Sequence, residues 1–238
     1  MDKLSFVIPV YNEEESLEPL YNRLKEVIDE NNYIYEIIIV DDGSSDQSLE
    51  ILKKLKKKDN NLKIIVFHEN RGQSAAFDAG FKNAEGEYII TMDADLQNDP
   101  VDVPKMLEFI NDYDVVCGFR GKRQDNFIRK ISSKIGNGIR NFLTNDNIID
   151  TGCSLKIFKK KYIDKIKMFK GMHRFLPTLL KLEGAKVYQI EVSHHHRKYG
   201  ESKYGFGIKK RAFVAFLDLL AVRWMIKRHI NYKIKEVI

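Results

Sequence analysis

Cysteine is almost missing. Two thiols, Cys117 and Cys153, in 238 residues cannot build a disulfide framework, and they lack the C-x-x-C spacing of a zinc or redox site. A reducing, cytosolic setting is expected. The sequence also lacks G-x-x-x-x-G-K-[ST], and G-x-G-x-x-G does not follow the first strand-like run, so neither a P-loop nor a dinucleotide cradle holds phosphate. Gly205-Phe206-Gly207 has no third glycine and no preceding strand. No apolar run reaches the roughly 20 residues that span a bilayer. The longest, Ala212 to Ile226, is broken by Asp218 and Arg223. Met1-Asp2-Lys3-Leu4 leads straight into an apolar strand without the charged and apolar regions of an export signal, so export is not expected. Proline is scarce, at 5, and low-complexity tracts and internal repeats are absent, which favours one continuous domain with a C-terminal appendage.

Charge is present but uneven. Lys and Arg exceed Asp and Glu by 40 to 34, for a net +6, yet from Ser193 onward there are 11 basic and 3 acidic residues. The excess therefore belongs to the tail, and the rest of the chain is slightly acidic. A basic tail suits a membrane surface or nucleic acid.

Through the first 120 residues, β-branched runs alternate with helical patterns, the signature of a mostly parallel sheet with crossover helices. Strands are expected at Leu4–Val10, Glu36–Val40, Leu62–Phe67, Tyr88–Met92 and Asp114–Gly118. Helices are expected at Ser16–Asn31, Gln47–Lys58, Gln73–Asn83 and Val101–Asn111. Further on, the pattern predicts a basic helix over Asn126–Leu143, a strand near Cys153–Phe158, a helix near Arg174–Glu183 and a strand at Lys186–Val192.

An open α/β sheet presents its functional groups at the carboxyl ends of its strands. Three such ends carry acids: Pro9-Val10-Tyr11-Asn12-Glu13, Asp41-Asp42 and Asp93-Ala94-Asp95. Any one acid there is as readily a turn former or a helix cap. Three together point to chemistry. Asp93 and Asp95, two apart in extended chain, project to the same side. They can grip Mg²⁺ or Mn²⁺, with Gln97 as a further oxygen, leaving room for phosphate oxygens. The run His194-His195-His196 lacks a third zinc ligand at suitable spacing.

The ordered motifs Phe6-Val-Ile-Pro-Val-Tyr-Asn-Glu-Glu-Glu15, Ile39-Val-Asp-Asp-Gly-Ser-Ser-Asp46, Asn70-Arg-Gly-Gln-Ser-Ala-Ala76 and Met92-Asp-Ala-Asp-Leu-Gln97 resemble those of family 2 glycosyltransferases with the GT-A fold. The resemblance is to the polyprenyl-phosphate sugar transferases of the dolichol-phosphate mannose synthase type. It continues through Asp150-Thr-Gly-Cys-Ser-Leu-Lys156 and His173-Arg-Phe-Leu-Pro177 to Arg197-Lys-Tyr-Gly-Glu-Ser-Lys203. It implies that Pro9, Tyr11, Glu13 and Asp42 line the base and ribose of a nucleotide-sugar, and that Asp93, Ala94, Asp95 and Gln97 meet its diphosphate and metal. Arg129 and Ser133, four apart on a predicted helix, would bind the acceptor phosphate. Arg120, Arg197 and Lys203 would complete a cationic ring. Asp95, Arg129, Ser133 and Arg197 form the implied catalytic set. The implied reaction is metal-dependent, inverting transfer of one hexose, mannose or glucose for example, to dolichyl or undecaprenyl phosphate. An acceptor that is already anionic needs no general base. It needs alignment and charge neutralisation.

The tail, Gly207 to Ile230, reads as a basic amphipathic helix or helix pair with Phe213, Phe216, Leu217, Leu220 and Trp224 on one face and Asp218 opposite. Such a segment lies in the headgroup region of a membrane. The expected division is a catalytic domain at 1–205 and membrane-surface helices at 206–238, peripheral on the inner face and compatible with a membrane-protein partner. Arg223-Trp224 lacks the glutamine of the processive Q-x-x-R-W element, since Leu220 stands there, which favours a single transfer. Two other readings are a GT-A enzyme with a soluble saccharide or protein acceptor, and a non-enzymatic membrane or nucleic-acid module. The second leaves the three acidic loops without a role, so no nucleic-acid partner is expected.

Overall fold

A computed structural model describes residues 2–121, 138–198, 208–230, 232 and 235–236. Seven strands form one sheet in the order β3-β2-β1-β4-β6-β5-β7. They are β1 (Leu4–Val10), β2 (Tyr35–Asp41), β3 (Leu62–Val66), β4 (Tyr88–Thr91), β5 (Val115–Arg120), β6 (Lys156–Lys159) and β7 (Val187–Val192). Strands β3, β2, β1 and β4 run parallel, as do β5 and β7, while β6 lies antiparallel between β4 and β5. The mostly parallel α/β sheet expected from the alternation is therefore present, with one reversed strand.

The inner strands β1, β2 and β4 are buried on both faces, which is why they read as continuous apolar runs. Phe6, Ile8, Ile37, Ile39 and Ile90 point into one core and Val7, Ile38, Val40, Ile89 and Phe158 into the other. Helices α1 (Leu17–Glu30) and α2 (Ser48–Lys56) lie over the first core, where α1 buries Leu17, Leu20, Leu24, Val27 and Ile28 at helical spacing. Helix α3 (Gln73–Asn83) packs Phe77 and Phe81 into the second. Gly80 permits the close approach, because a Cβ there would fall 2.2 Å from Val7 Cγ1.

The helix expected over Val101–Asn111 is shorter. A 3₁₀ turn, Pro100–Asp102, leads into α4 (Val103–Leu107), the Asp99 side chain accepting from the Val101 amide. Most of the helix expected over Asn126–Leu143 lies outside the described residues, and α5 covers 138–144. Helix α6 (Lys160–Ile163) follows β6. Another 3₁₀ turn, Met172–Phe175, precedes α7 (Leu176–Leu182). Cys117 and Cys153 are both buried and unpaired, consistent with their reading as small apolar groups.

The tail forms one helix, α8 (Ile208–Arg228), rather than a pair. Its contact with the body is made by Leu219 and Val222 against Met172, Phe175 and Leu179. The face singled out from the sequence points outward: Phe213 and Trp224 are 63% and 65% exposed, with Phe216, Leu217 and Leu220 beside them. Helical spacing alone did not separate the docking residues from the outward ones. The expected boundary between residues 205 and 206 lies outside the described residues. Among the described residues, no helix is long and apolar enough to cross a membrane.

Candidate active site

Strands β2, β1 and β4 are neighbours in the sheet and parallel, so their acid-bearing carboxyl ends open onto one edge. A cavity of about 350 Å³ lies there, lined by Pro9, Val10, Tyr11, Glu13, Asp42, Asn70, Gly72, Gln73, Asp93, Ala94, Asp95 and Arg197. Every donor-site residue named from the sequence is in this wall except Arg120 and Gln97, which lie outside it, and Lys203, which is outside the described residues. Arg129 and Ser133 are also outside the described residues.

The loop after β1 is fastened to the loop after β2. The amides of Asn12, Glu13 and Glu14 donate to Ser44 Oγ, Ser48 Oγ and Asp46 Oδ2 at 2.9, 2.9 and 3.2 Å. The Ser16 hydroxyl reaches Glu13 Oε2 at 3.1 Å and helps fix that carboxylate. The two aspartates ending β2 have different roles. Asp41 Oδ1 accepts from the Ser44 amide at 2.9 Å and shapes the turn. Asp42 turns the other way, accepting from the amides of Arg71 and Gly72 at 2.7 and 2.8 Å. It thereby anchors the loop that enters α3. Burial raises the Asp42 pKa, and these two N–H groups oppose the rise.

Asp93 is held from two directions, and one of its partners is itself anchored. Gln73 Nε2 donates to its Oδ1 at 2.7 Å, its own amide donates to Ser154 Oγ at 3.0 Å, and Ser154 Oγ donates to Asn98 Oδ1 at 3.0 Å. One hydroxyl thus pins both ends of the 93–98 loop. Thr91 Oγ1 fixes the Ser154 carbonyl at 2.7 Å. Leu96, at φ +59°, marks the tightness of that loop. Burial and the neighbouring Asp95 push the Asp93 carboxyl up to about 6. Burial raises Asp95 as well, against the Gln97 amide and Arg197. Two oxygen-only, desolvated carboxylates in one wall fit a hard divalent cation. Gln97 is placed otherwise. Its side-chain amide lies 3.4 Å from the His195 carbonyl, and its backbone amide caps Asp95 Oδ1 at 3.1 Å.

Arg197 arrives from the far end of the chain because the segment after β7 is stitched to the segment after β4. The Ser193 amide donates to Asp102 Oδ2 at 2.7 Å, Asn98 and His194 form a β-bridge, and the His195 amide donates to the Gln97 carbonyl at 2.8 Å. The triple histidine thus helps carry Arg197 into the cavity. Arg197 Nη2 then lies 2.5 Å from Glu13 Oε1, and Nη1 lies 3.8 Å from Asp95 Oδ2. Among the described residues, no group of three or more His, Cys, Asp or Glu side chains is placed to hold a metal.

Arg120, at the end of β5, makes a two-pronged pair with Asp150, with Nε at 2.6 Å and Nη2 at 2.9 Å from its oxygens. It acts on Asp93 as a neighbouring positive charge and is not part of the wall. Asn70, Gly72, Gln73 and Ser154 were given no individual role from the sequence. Asn70-Arg-Gly-Gln, opening a helix after a strand, is a fourth carboxyl-end loop and was the available signal. Ser154 had no signal, because its role depends on β6 running antiparallel beside β4.

Residues 5–167 match the family model described as "Glycosyl transferase family 2". The chain is 38% identical over 231 residues to a dodecaprenyl-phosphate galacturonate synthase of Rhizobium johnstonii, covering 94% of this chain and 68% of that protein. It is 40% identical over 208 residues to an undecaprenyl-phosphate 4-deoxy-4-formamido-L-arabinose transferase of Proteus mirabilis, covering 87% of this chain and 64% of the relative, so it spans a little under two thirds of that protein. Among solved structures, it resembles a mannosyltransferase of Pyrobaculum calidifontis in complex with GDP-Man and Mn²⁺ (TM-score 0.66, 16% identity, 97% of this chain and 65% of the other). It also resembles glucosyl-3-phosphoglycerate synthase of Mycobacterium tuberculosis (TM-score 0.67, 13% identity, 97% and 80%). These likenesses bear out the GT-A fold.

Proposed function

The chain belongs to glycosyl transferase family 2, and from that membership we propose that it moves one sugar from a nucleotide-diphospho-sugar to a polyprenyl phosphate with inversion. The observation that carries the reading is the convergence of Glu13, Asp42, Asp93, Asp95 and Arg197 on one cavity, from four separate stretches of chain. The names of the relatives, which include dodecaprenyl- and undecaprenyl-phosphate transferases, support the acceptor class.

Pro9, Tyr11, Glu13 and Asp42 receive the base and ribose. Asp93 and Asp95 would hold Mg²⁺ or Mn²⁺, which when bound neutralises charge on the departing nucleotide diphosphate. Arg197 adds a guanidinium on the same side, where negative charge grows as the sugar leaves. Gln73 and Ser154 hold Asp93 in register, so little reorganisation is needed. The phosphomonoester attacks as an anion, so no side chain has to remove a proton from it. Arg129, Ser133 and Lys203 are proposed phosphate contacts on the strength of the resemblance alone, and Arg120 and Gln97 support the wall from outside it.

The outward apolar face of α8 favours a peripheral position on a membrane surface, the inner face being the one where nucleotide-sugars are available. A membrane-protein partner is compatible with that position. The division between a catalytic body and a membrane-surface helix follows the same reading.

The test is to incubate purified protein with Mn²⁺, a panel of radiolabelled nucleotide-sugars and undecaprenyl or dolichyl phosphate, and to follow label into the organic phase. Label is expected with one donor and not with Asp95→Asn. Label carried instead by a soluble saccharide would refute the lipid acceptor.

A further inference from the structure

A second cavity, of about 420 Å³, lies on the other side of the loop that enters α3. Arg71, Gly72, Gln73, Ser74, Lys170, Gly171, His173, Arg174, Val214, Ala215 and Asp218 form its wall. Gly72 and Gln73 belong to both cavities, so the second adjoins the donor pocket along that stretch. We propose that this second cavity receives the phosphate end of the acceptor, a phosphomonoester carried on an apolar chain, and that Lys170 and Arg174 contact that phosphate. The inference rests on the polyprenyl-phosphate reading above and assigns it a place. Lys170 and Arg174 act in addition to Arg129 and Ser133.

Charge is the first argument. Three cations and one carboxylate face the space. Arg71 is already paired with Glu69. Lys170 and Arg174 are exposed and make no ion pair with another described residue. Asp218 is packed against Gly171, where an added Cβ would fall 2.4 Å from its Oδ2. Arg174 also acts on Asp218 as a neighbouring positive charge, and the remaining excess of cations in a concave site suits a doubly charged phosphomonoester.

The floor is polar but uncharged. The Gly171 amide donates to Ser74 Oγ at 3.0 Å, and the same hydroxyl shares a hydrogen bond with His173 Nδ1, 2.6 Å away. Burial, with Arg174 and Lys156 nearby, lowers the His173 pKa to about 3, so its ring is neutral at working pH. Asp218 is the one carboxylate among the lining residues, against three cations.

The far wall supplies the chain specificity. Val214 and Ala215 are on α8, and the outward Phe213, Phe216 and Leu217 adjoin them on the same helix. An isoprenoid leaving the cavity on that side meets these exposed apolar side chains, whereas a soluble phosphorylated sugar would gain nothing from them. The phosphate end lies beside Gln73, whose amide touches Asp93. Gln73 thus borders both the acceptor cavity and the donor cavity.

The experiment compares wild type with Lys170→Ala, Arg174→Ala and the double variant, using citronellyl phosphate as acceptor. Both residues are exposed, and equal melting temperatures will show that the fold is kept. The double variant is expected to raise the KM for citronellyl phosphate about 10-fold or more, while the donor KM stays within about 2-fold. Citronellol and inorganic phosphate, at the same concentrations, are expected not to inhibit. An unchanged acceptor KM, a donor KM that rises in step, or inhibition by inorganic phosphate at those concentrations would overturn the assignment. If wild type forms no product with any donor, the functional reading has failed instead. Calorimetry of citronellyl phosphate binding then decides the site alone: binding to wild type that the double variant loses supports it, and no binding to wild type overturns it.

Discussion

Arg197 Nη2 stands 2.5 Å from Glu13 Oε1 across the donor cavity, and the same guanidinium faces Asp95. The pair joins the loop after β1 to the segment after β7, 184 positions apart. Because both side chains are largely enclosed, the interaction is stronger than that of a surface ion pair, and either partner left alone would be a poorly solvated charge.

Replacing Arg197 with Ala is therefore expected to lower kcat/KM by about 10²-fold or more, the scale at which a positioned charge-stabilising donor contributes. Arg197→Lys should recover only part of this, since a single ammonium cannot span Glu13 and Asp95 as a planar fork does. Steady-state kinetics with the identified donor will check it. Activity within 2-fold of wild type in the Ala variant would remove Arg197 from the site.

Asp93 links activity to pH. Its carboxyl is pushed up to about 6 by burial and by Asp95, above the ordinary carboxylate value. The folded state therefore holds a proton that the unfolded chain has released, and this group's contribution to stability falls as pH rises through about 6. Asp93→Asn removes that penalty, and in the absence of divalent ions it is expected to raise Tm at pH 7.5 by about 2–4 °C while abolishing transfer. At pH 4 the two proteins should melt together. Calorimetric scans at the two pH values, in chelator, measure this.

Gly43 occupies a position that no side chain fits. Its φ is +72°, and an added Cβ would sit 2.6 Å from the Glu69 carbonyl carbon and 2.8 Å from the Asn70 nitrogen. Those atoms belong to the loop that Asp42 anchors through Arg71 and Gly72. Gly43→Ala is expected to cost about 1–3 kcal/mol and to weaken donor binding by displacing that loop. Denaturant melts and nucleotide calorimetry test both effects.

Trp224, the single tryptophan in the chain, is 65% exposed on α8 and makes membrane docking visible. Its emission is expected to shift to the blue with vesicles containing phosphatidylglycerol, less so with phosphatidylcholine alone, and to shift back in high salt. Phe216→Glu with Leu220→Glu should abolish the shift and spare donor binding. Leu219→Glu should instead unfold the contact between α8 and α7.

The α/β alternation, α3 to its exact ends and the acidic carboxyl edge were legible because strand burial and helix periodicity are local patterns. Tyr11, Glu13, Asp42, Asp93 and Asp95 were legible because strand ends in a parallel sheet share an edge whichever way the helices pack. Val101–Asn111 read too long, since Pro100 and the Asp99 cap favour a 3₁₀ start that carries little periodic signal. The inward face of α8 was missed because a helix apolar on two sides gives no single stripe to follow.

By itself, then, the sequence determined which residues end the parallel strands and that their charge is acidic, because chain direction and side-chain alternation follow from local bonding. Only the tertiary structure decided how those acids divide their work. Asp41 shapes a turn and Asp42 anchors a distant loop, Arg120 is spent on Asp150 while Arg197 enters the cavity, and Ser154 governs Asp93 from the segment that leads into a reversed strand. Each of these depends on which segments lie within hydrogen-bonding distance once the strands are ordered, and that ordering is set by the packing of the whole core rather than by any stretch of chain.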